Sequence, residues 1–278
     1  MRHKIVIALL AGGTMMLSAC AGRDGDVARA LSGEKEQREI DEIMLSVAPP
    51  QEAVAFFRKR LAEEPGEITH QRGLASALVR SKKASEGARV WQEVASNPNA
   101  TNEDLVNFAD AQIRTSDWAG AKATLDAIPP THESFERYRL EAMVADSQRD
   151  WKRADSFYET AVGLTTTPAN VLNNWGYSKL SRGDTQAAER LFAEALTYDR
   201  TLFTAKNNLV LARATRRAYA LPGIPMSQEE RAQLLHTAAL AAIKQGDTDI
   251  GRNLLEDAID THPRHFEAAV RALQAMSA

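Results

Sequence analysis

The sequence predicts an all-α protein built as a solenoid of helix pairs, and three observations support this prediction. The 278 residues are rich in Ala, Leu, Glu, Arg and Gln, which favour helices, and they include only 8 Phe, 5 Tyr and 4 Trp. A short motif containing Asp recurs at intervals of 33 or 34 residues, and each copy precedes a stretch with the apolar periodicity of an amphipathic helix. Two-helix units of this length bury their apolar faces only when they stack on one another.

The N-terminal residues predict an export signal and a lipid anchor. A basic start over residues 1–4 precedes an apolar run over 5–17, which is too short to cross a bilayer because a spanning helix needs about 20 residues. The single cysteine, Cys20, directly follows the small residues 18–19, and this arrangement resembles the lipobox of bacterial lipoproteins. The resemblance implies that residues 1–19 are a lipoprotein signal peptide and that Cys20 becomes the acylated first residue.

The lipid and the residues after it predict how the mature protein is held. Two or more acyl chains bind a bilayer firmly, at about 0.8 kcal/mol for each buried CH₂ group. Ala21, in place of an Asp, points to the outer membrane by resemblance to sorted lipoproteins. Residues 20–37 lack apolar periodicity and predict a flexible tether. We therefore expect a protein at the periplasmic face of the outer membrane, with a covalent lipid on Cys20 and no other cofactor.

The repeated motif marks the start of the second helix in each pair. Its Asp residues, Asp117, Asp150, Asp184 and Asp247, are 33, 34 and 63 residues apart, and the last gap is close to two periods. Each Asp is placed to cap a helix, and the residues before it predict a turn. Bulky residues follow these four Asp residues at a fixed offset, namely Leu125, Tyr158, Phe192 and Leu255, and Trp91 occupies the same position one repeat before Leu125.

This pattern resembles the tetratricopeptide repeat (TPR), a pair of antiparallel helices of 34 residues. Small residues stand in the middle of the predicted first helices, at Ala75, Ala109, Ala142, Gly176 and Ala239. Small residues also stand in the second helices, at Gly87, Ala121, Ala154, Ala188 and Gly251. They let neighbouring helices approach closely, and the bulky residues fill the space beside them. The resemblance implies a right-handed superhelix whose concave groove is lined mainly by the first helices.

We predict that the solenoid occupies residues 38–278 and contains about six helix pairs. The first pair is degenerate, because Asp41 stands at the position where five other first helices carry Ala or Gly. Residues 266–276 predict a C-terminal capping helix.

One repeat is interrupted by an insertion near residues 218–226. Proline in a helix interior costs about 3 kcal/mol, so Pro222 and Pro225 predict a loop where a second helix is expected. Ser227 and Glu230 then have the spacing of a capping box, which predicts that the next helix begins there.

Charge and motif content argue against several classes of function. With 34 Lys plus Arg against 37 Asp plus Glu, the formal charge of −3 lacks the basic surplus of a general nucleic-acid binder. One cysteine allows neither an internal disulfide nor a Cys-based zinc site. Phosphate-binding loops, zinc-protease helices and nucleophile elbows are absent from the sequence. We therefore expect no catalytic residue, no metal and no small-molecule substrate. A periplasmic hydrolase is the alternative from another functional class, but the sequence contains no catalytic motif that supports it.

The groove is the expected functional surface and would bind a protein partner. Positions that face it in this repeat family are Asn173, Tyr177, Asn207, Leu211, Arg139 and His236, with Met143 and Leu240 beside them. An Asn side chain both donates and accepts hydrogen bonds, which suits the backbone of an extended peptide. Asn174 and Asn208 can instead bridge helices as repeat-consensus residues, and we favour that interpretation for these two. Asn173 and Asn207 are the better candidates for partner contact.

Trp118 and Trp151 occupy equivalent places directly after their Asp residues, 33 positions apart. A stacking platform for nucleic acid is one interpretation of such a pair. The acidic mature chain and the periplasmic address favour the other interpretation, which is packing between helices.

The closing third of the chain resembles the TadD family, tetratricopeptide lipoproteins of the tight-adherence (Flp pilus) assembly system. The distinctive residues are the Pro-rich stretch 220–226 and the stretches 233–238 and 260–266 that follow it. The resemblance implies a pilotin-like adaptor at the outer membrane that binds the secretin or another pilus component. The alternative keeps the architecture and makes the protein a scaffold for β-barrel assembly or a regulator of peptidoglycan synthesis.

Overall fold

The computed structural model describes residues 35–276, and this part of the chain is helical and contains no β-strand. The prediction of an all-α protein is confirmed. Helix α1 covers 35–46 within the described part. The helices that follow are α2 (Pro50–Glu63), α3 (Ile68–Arg80), α4 (Ala84–Ala95), α5 (Asn102–Arg114), α6 (Trp118–Asp126), α7 (Phe135–Ser147), α8 (Trp151–Gly163), α9 (Ala169–Ser181), α10 (Thr185–Tyr198), α11 (Phe203–Ala214), α12 (Gln228–Lys244), α13 (Thr248–Thr261) and α14 (Glu267–Ala275).

The helices form two compact units, and the boundary between them falls between Val90 and Trp91 within α4. The first unit has a core of fully buried residues from α2 and α3, including Phe57 and Ala75. Gly73 in α3 is required by this packing, because a Cβ there would lie 2.2 Å from the Phe57 ring.

Helix α1 already includes residues 35–37, which were predicted to form the end of the flexible tether. Lys35 pairs with Glu39 at 3.9 Å, one helical turn later. Gln37 donates a hydrogen bond to Asp41 at 2.8 Å. Contacts between residues four apart favour the helical conformation, which accounts for the earlier start of the helix.

The second unit repeats one packing scheme from α5 to α13. The first helices α5, α7, α9, α11 and α12 contact one another in succession, and the second helices α6, α8, α10 and α13 each pack on the first helix before them. Buried small and bulky residues fill the interface between the two helices of each pair. Gly176 of α9 and Phe192 of α10 are an example, because a Cβ at Gly176 would lie 2.6 Å from the Phe192 ring. Helix α14 covers the end of this core through the buried Ala269.

Three of the four predicted Asp caps are confirmed. Asp117, Asp150 and Asp184 each accept a hydrogen bond from the backbone N–H three residues later. The predicted cap at Asp247 is wrong. Its carboxylate accepts hydrogen bonds from the Arg217 guanidinium and, at 2.6 Å, from the Tyr219 hydroxyl. Both donors belong to the loop that replaces a second helix, and they turn the side chain away from the helix end.

That loop covers residues 215–227 between α11 and α12. Arg217 has a left-handed φ of 59°, and Gly183 has a φ of 85° at the equivalent position one repeat earlier. The next residue is Ala218, whereas a capping Asp follows Gly183. Without a cap, and with two prolines ahead, the chain turns but does not continue as a helix.

Helix α12 begins with the predicted capping box, which is confirmed. Ser227 Oγ accepts from the Glu230 N–H at 3.1 Å, and the Glu230 carboxylate accepts from the Ser227 N–H at 2.8 Å. The same carboxylate accepts hydrogen bonds at 2.9 and 3.0 Å from Lys206, a buried lysine of α11. This pair ties the start of α12 to the preceding first helix across the loop.

Candidate functional site

The second unit contains a groove cavity of about 550 Å³ between the first helices α7, α9 and α11 and the starts of α6 and α8. Aromatic rings and Met143 form much of its wall, four asparagines add amide groups, and a single carboxylate lies among them. The lining residues are Trp118, Met143, Asp146, Ser147, Trp151, Tyr158, Asn173, Asn174, Tyr177, Ser178, Ser181, Phe203, Thr204, Asn207 and Asn208. We call this surface the groove cavity.

Three of the six predicted partner-binding residues meet in the groove cavity. Asn173, Tyr177 and Asn207 all line it, and Tyr177 is 60% exposed. Leu211 lies instead in a neighbouring pocket of about 660 Å³, together with Leu240.

The other two predicted residues are occupied by contacts within the protein. Arg139 donates to Asp110 on α5 at 3.3 Å, so its charge is already paired. The His236 ring lies 5.4 Å from the Phe266 ring, and burial lowers the pKa of His236. Neither residue lines the groove cavity.

The asparagines form a ladder that joins successive first helices. Asn208 on α11 donates to Asn173 Oδ1 on α9 at 3.0 Å, and Thr237 on α12 donates to Asn207 Oδ1 on α11 at 2.7 Å. Asn208 therefore bridges helices. Within residues 35–276 we find no acceptor for the side-chain N–H groups of Asn173 and Asn207. Both residues line the groove cavity, so these donors are available to a ligand there.

Asp146 supplies the carboxylate of the groove cavity. Ser178 Oγ donates to Asp146 Oδ1 at 2.7 Å, and the Tyr158 hydroxyl donates to Oδ2 at 2.9 Å. Both donors are almost fully buried and uncharged. Burial raises the pKa of Asp146, and the two hydrogen bonds and the Arg182 charge only partly offset that effect.

A second aspartate of the same repeat, Asp155 on α8, has much stronger donors. It accepts from Trp175 Nε1 at 2.6 Å, from Lys179 Nζ at 2.9 Å and from the Arg182 guanidinium. Burial alone would raise the pKa of Asp155, but these hydrogen bonds lower it below its usual range. Arg182 also lies over the Trp151 ring, 5.6 Å from its centroid.

Sequence reasoning missed Asp146 as a site residue, although the repeat register contains a signal. Asp146 stands four residues after the small position of its first helix, where the other repeats carry Val79, Ile113, Leu180, Ala214 and Ile243. Ser178 stands two residues after the small position, where the others carry Ala77, Ala111, Val144, Ala212 and Ala241. Tyr158 carries a hydroxyl, whereas the bulky residues at the same position of the other second helices, Trp91, Leu125, Phe192 and Leu255, do not. Three polar exceptions to an apolar pattern thus meet at one point.

Trp118 and Trp151 also line the groove cavity, besides packing against their neighbours. Trp118 contacts the core cluster of α5–α7, and the Trp151 ring carries the Arg182 guanidinium. The two tryptophans have the same offset from their Asp caps, and both contribute to the lining of the groove cavity. Their spacing of 33 residues, one repeat, is the feature of the sequence that could have identified both as residues of one surface.

The arrangement can bind a ligand through apolar walls, amide donors and one carboxylate. Across the described range 35–276, no group of three or more His, Cys, Asp or Glu side chains is placed to hold a metal ion. In that range no helix is both long enough and apolar enough to cross a membrane. Cys20, the predicted lipidation site, and the predicted signal peptide 1–19 lie outside the described residues.

Solved structures with the same fold identify the architecture. One chain of the APC/C hetero-tetramer Cut9–Hcn1 matches with a TM-score of 0.60 at 14% identity; the match covers 81% of this chain and only 46% of that one. A tetratricopeptide repeat protein from Parabacteroides merdae ATCC 43184 matches with a TM-score of 0.56 at 11% identity, over 88% of this chain and 98% of that one. No protein-family model and no curated protein sequence matches the chain. The predicted TPR solenoid fold is confirmed.

Proposed function

We propose that this TPR-fold chain is a lipid-anchored adaptor on the periplasmic face of the outer membrane, and that it serves assembly of a Tad/Flp pilus by binding a segment of the secretin. The observation that carries the proposal is the groove cavity, where aromatic rings and the side-chain N–H groups of Asn173 and Asn207 line one open surface. Such a surface suits an extended protein segment, whose backbone offers carbonyl acceptors at regular intervals.

The pilus assignment rests on the sequence. The lipobox-like residues before Cys20 and the TadD-like stretches between 220 and 266 support a lipoprotein of that system. An anchor and a binding groove in one chain are sufficient for the proposed task, because tethering holds the bound segment at the membrane and raises its effective concentration there. The task requires no catalytic group, and TPR folds typically serve as protein-interaction scaffolds.

Crosslinking and affinity capture from cell envelopes tests the proposal, with the wild type compared with Cys20→Ser. We expect the wild type to capture a secretin, and we expect secretin multimers to fail to reach the outer membrane when Cys20 is replaced. Capture of β-barrel assembly machinery or a cell-wall synthase in place of a secretin would overturn the pilus assignment and support the alternative scaffold.

A matched pair of variants tests whether the groove cavity binds the captured partner. Asn207→Ala and Thr237→Val remove the same interhelical hydrogen bond. Only Asn207 lines the groove cavity, whereas Thr237 lines the neighbouring pocket. We expect Asn207→Ala to weaken capture and Thr237→Val to retain it. Equal capture by both variants would remove the groove cavity from the proposed function.

A further inference from the structure

We infer that the groove cavity contains a subsite for a basic side chain, arginine in preference to lysine, of the bound protein segment, with the Asp146 carboxylate as its counter-ion. The inference rests on the proposed peptide-binding function and specifies the chemistry of the segment. Asp146 is the only lining residue of the groove cavity whose side chain carries a formal charge at neutral pH.

The first argument is charge complementarity. Asp146 has only hydroxyl donors, from Ser178 and Tyr158, and we find no ion pair for it within residues 35–276. A carboxylate has about four acceptor positions, so two remain for an incoming donor. A half-buried carboxylate without a cation is costly, and a guanidinium from a partner would supply the missing charge and hydrogen bonds.

The second argument is the convergence of three residues from separate helices. Asp146, Tyr158 and Ser178 each replace the apolar residue that the other repeats carry at the same position. Tyr158 and Ser178 are 1% and 2% exposed, and both direct their hydroxyls at the Asp146 carboxylate. The other first helices carry apolar residues at the positions of Asp146 and Ser178, so the fold itself does not require a polar group there. The donors hold the carboxylate in one orientation at the cavity.

The third argument is the aromatic wall around the carboxylate. Trp118, Trp151 and Tyr177 line the same cavity. Aromatic faces attract cations, and a guanidinium stacks on them while it reaches a carboxylate with its planar fork. The guanidinium of Arg182 already lies over the Trp151 ring, with its Cζ 5.6 Å from the ring centroid. The charge of Arg182 is matched by Asp155, so it does not neutralise Asp146.

A random 12-residue peptide library displayed on phage and panned against the full-length protein tests the inference. We expect the wild type to select peptides with a basic residue at one constant position, Arg more often than Lys, and Asp146→Asn to lose that preference. Glu159→Gln is the matched control, because it removes an exposed carboxylate of the same repeat that does not line the groove cavity, and we expect it to keep the preference.

A synthetic copy of one selected peptide then gives a quantitative test that needs no further change in the protein. Replacing its constant Arg by citrulline, which has nearly the same shape and no charge, should weaken binding to the wild type by about tenfold or more. The same replacement should leave the affinity of Asp146→Asn nearly unchanged. Peptides that bind without a constant basic residue, or an equal citrulline effect in both proteins, would overturn the subsite and leave the adaptor proposal intact. Failure of any peptide to bind would overturn both.

Discussion

Asp146 and Asp155 belong to the same repeat but have opposite surroundings. Asp155 accepts hydrogen bonds from two cationic side chains and an indole, whereas Asp146 accepts from two neutral hydroxyls. Burial tends to raise the pKa of both, and only at Asp155 are the donors strong enough to reverse the shift. Asp155 therefore stabilises the fold, whereas burial of the Asp146 carboxylate costs free energy that its two hydrogen bonds only partly offset.

The comparison separates two uses of a buried carboxylate. A carboxylate whose cations come from its own chain joins helices, as Asp155 joins α8 to α9. A carboxylate placed in a cavity without a cation is available to a ligand. Natural proteins commonly give up stability at binding sites in this way.

The largest expected effect is on stability, and it distinguishes the two aspartates directly. Asp155→Asn should lower the free energy of unfolding by about 2 kcal/mol, because it leaves two cations and an indole N–H without their charged acceptor. Asp146→Asn should leave it unchanged or raise it slightly, because a desolvated charge is removed. Urea unfolding of the two variants beside the wild type measures both values. Equal losses in the two variants would contradict the contrast between these carboxylates.

The pH dependence should have opposite signs at the two sites. Asp155 has a lowered pKa, so its stabilising effect is present above about pH 4 and is lost as the pH falls through the pKa of the folded state. Asp146 has a raised pKa, so the folded state binds its proton more tightly than the unfolded chain. The wild type should therefore gain stability relative to Asp146→Asn as the pH falls from the raised pKa toward 3.8.

Unfolding free energies between pH 7 and pH 3 check these signs. The charges that act on Asp146 are Arg182, which lowers its pKa, and Asp155, which raises it. As the pH falls, the wild type should therefore lose stability relative to Asp155→Asn and gain stability relative to Asp146→Asn. A difference between the wild type and Asp146→Asn that does not vary with pH would show that Asp146 has an ordinary pKa.

The smallest expected effect concerns the neutral ladder of the groove. Thr237→Val should lower the free energy of unfolding by about 1 kcal/mol, because it removes one uncharged hydrogen bond to Asn207. Thermal unfolding followed by circular dichroism measures the change. A loss as large as that of Asp155→Asn would show that the ladder, rather than the ionic network, holds the first helices together.

Much of the fold was predictable because its determinants are local or periodic. The spacing of the Asp residues located the second helices, and the two prolines located the loop before α12. The exception, Asp247, shows the limit of local rules: Arg217 and Tyr219 lie in the loop that replaces a helix, and their contact with the carboxylate could not be inferred from the motif.

The candidate site was predictable only in part. Register alone placed Asn173, Tyr177 and Asn207 on one surface, because residues one repeat apart share a face. The other three predicted residues occupy equivalent register positions but are not part of the groove cavity. Arg139 contacts Asp110, and His236 contacts Phe266. Leu211 lines the neighbouring pocket. The register gives the face of a helix, while the neighbouring side chains decide whether a residue on that face is available.

The sequence by itself determined which segments are helices, where most of them begin, and which positions are small enough for close packing. These properties depend on residues within a few positions of one another or on the repeat period. Only the tertiary structure decided which of two similar aspartates is saturated by cations and which is left in the groove cavity. That outcome depends on donors such as Ser178, which is 32 residues from Asp146 along the chain and 2.7 Å from it in space.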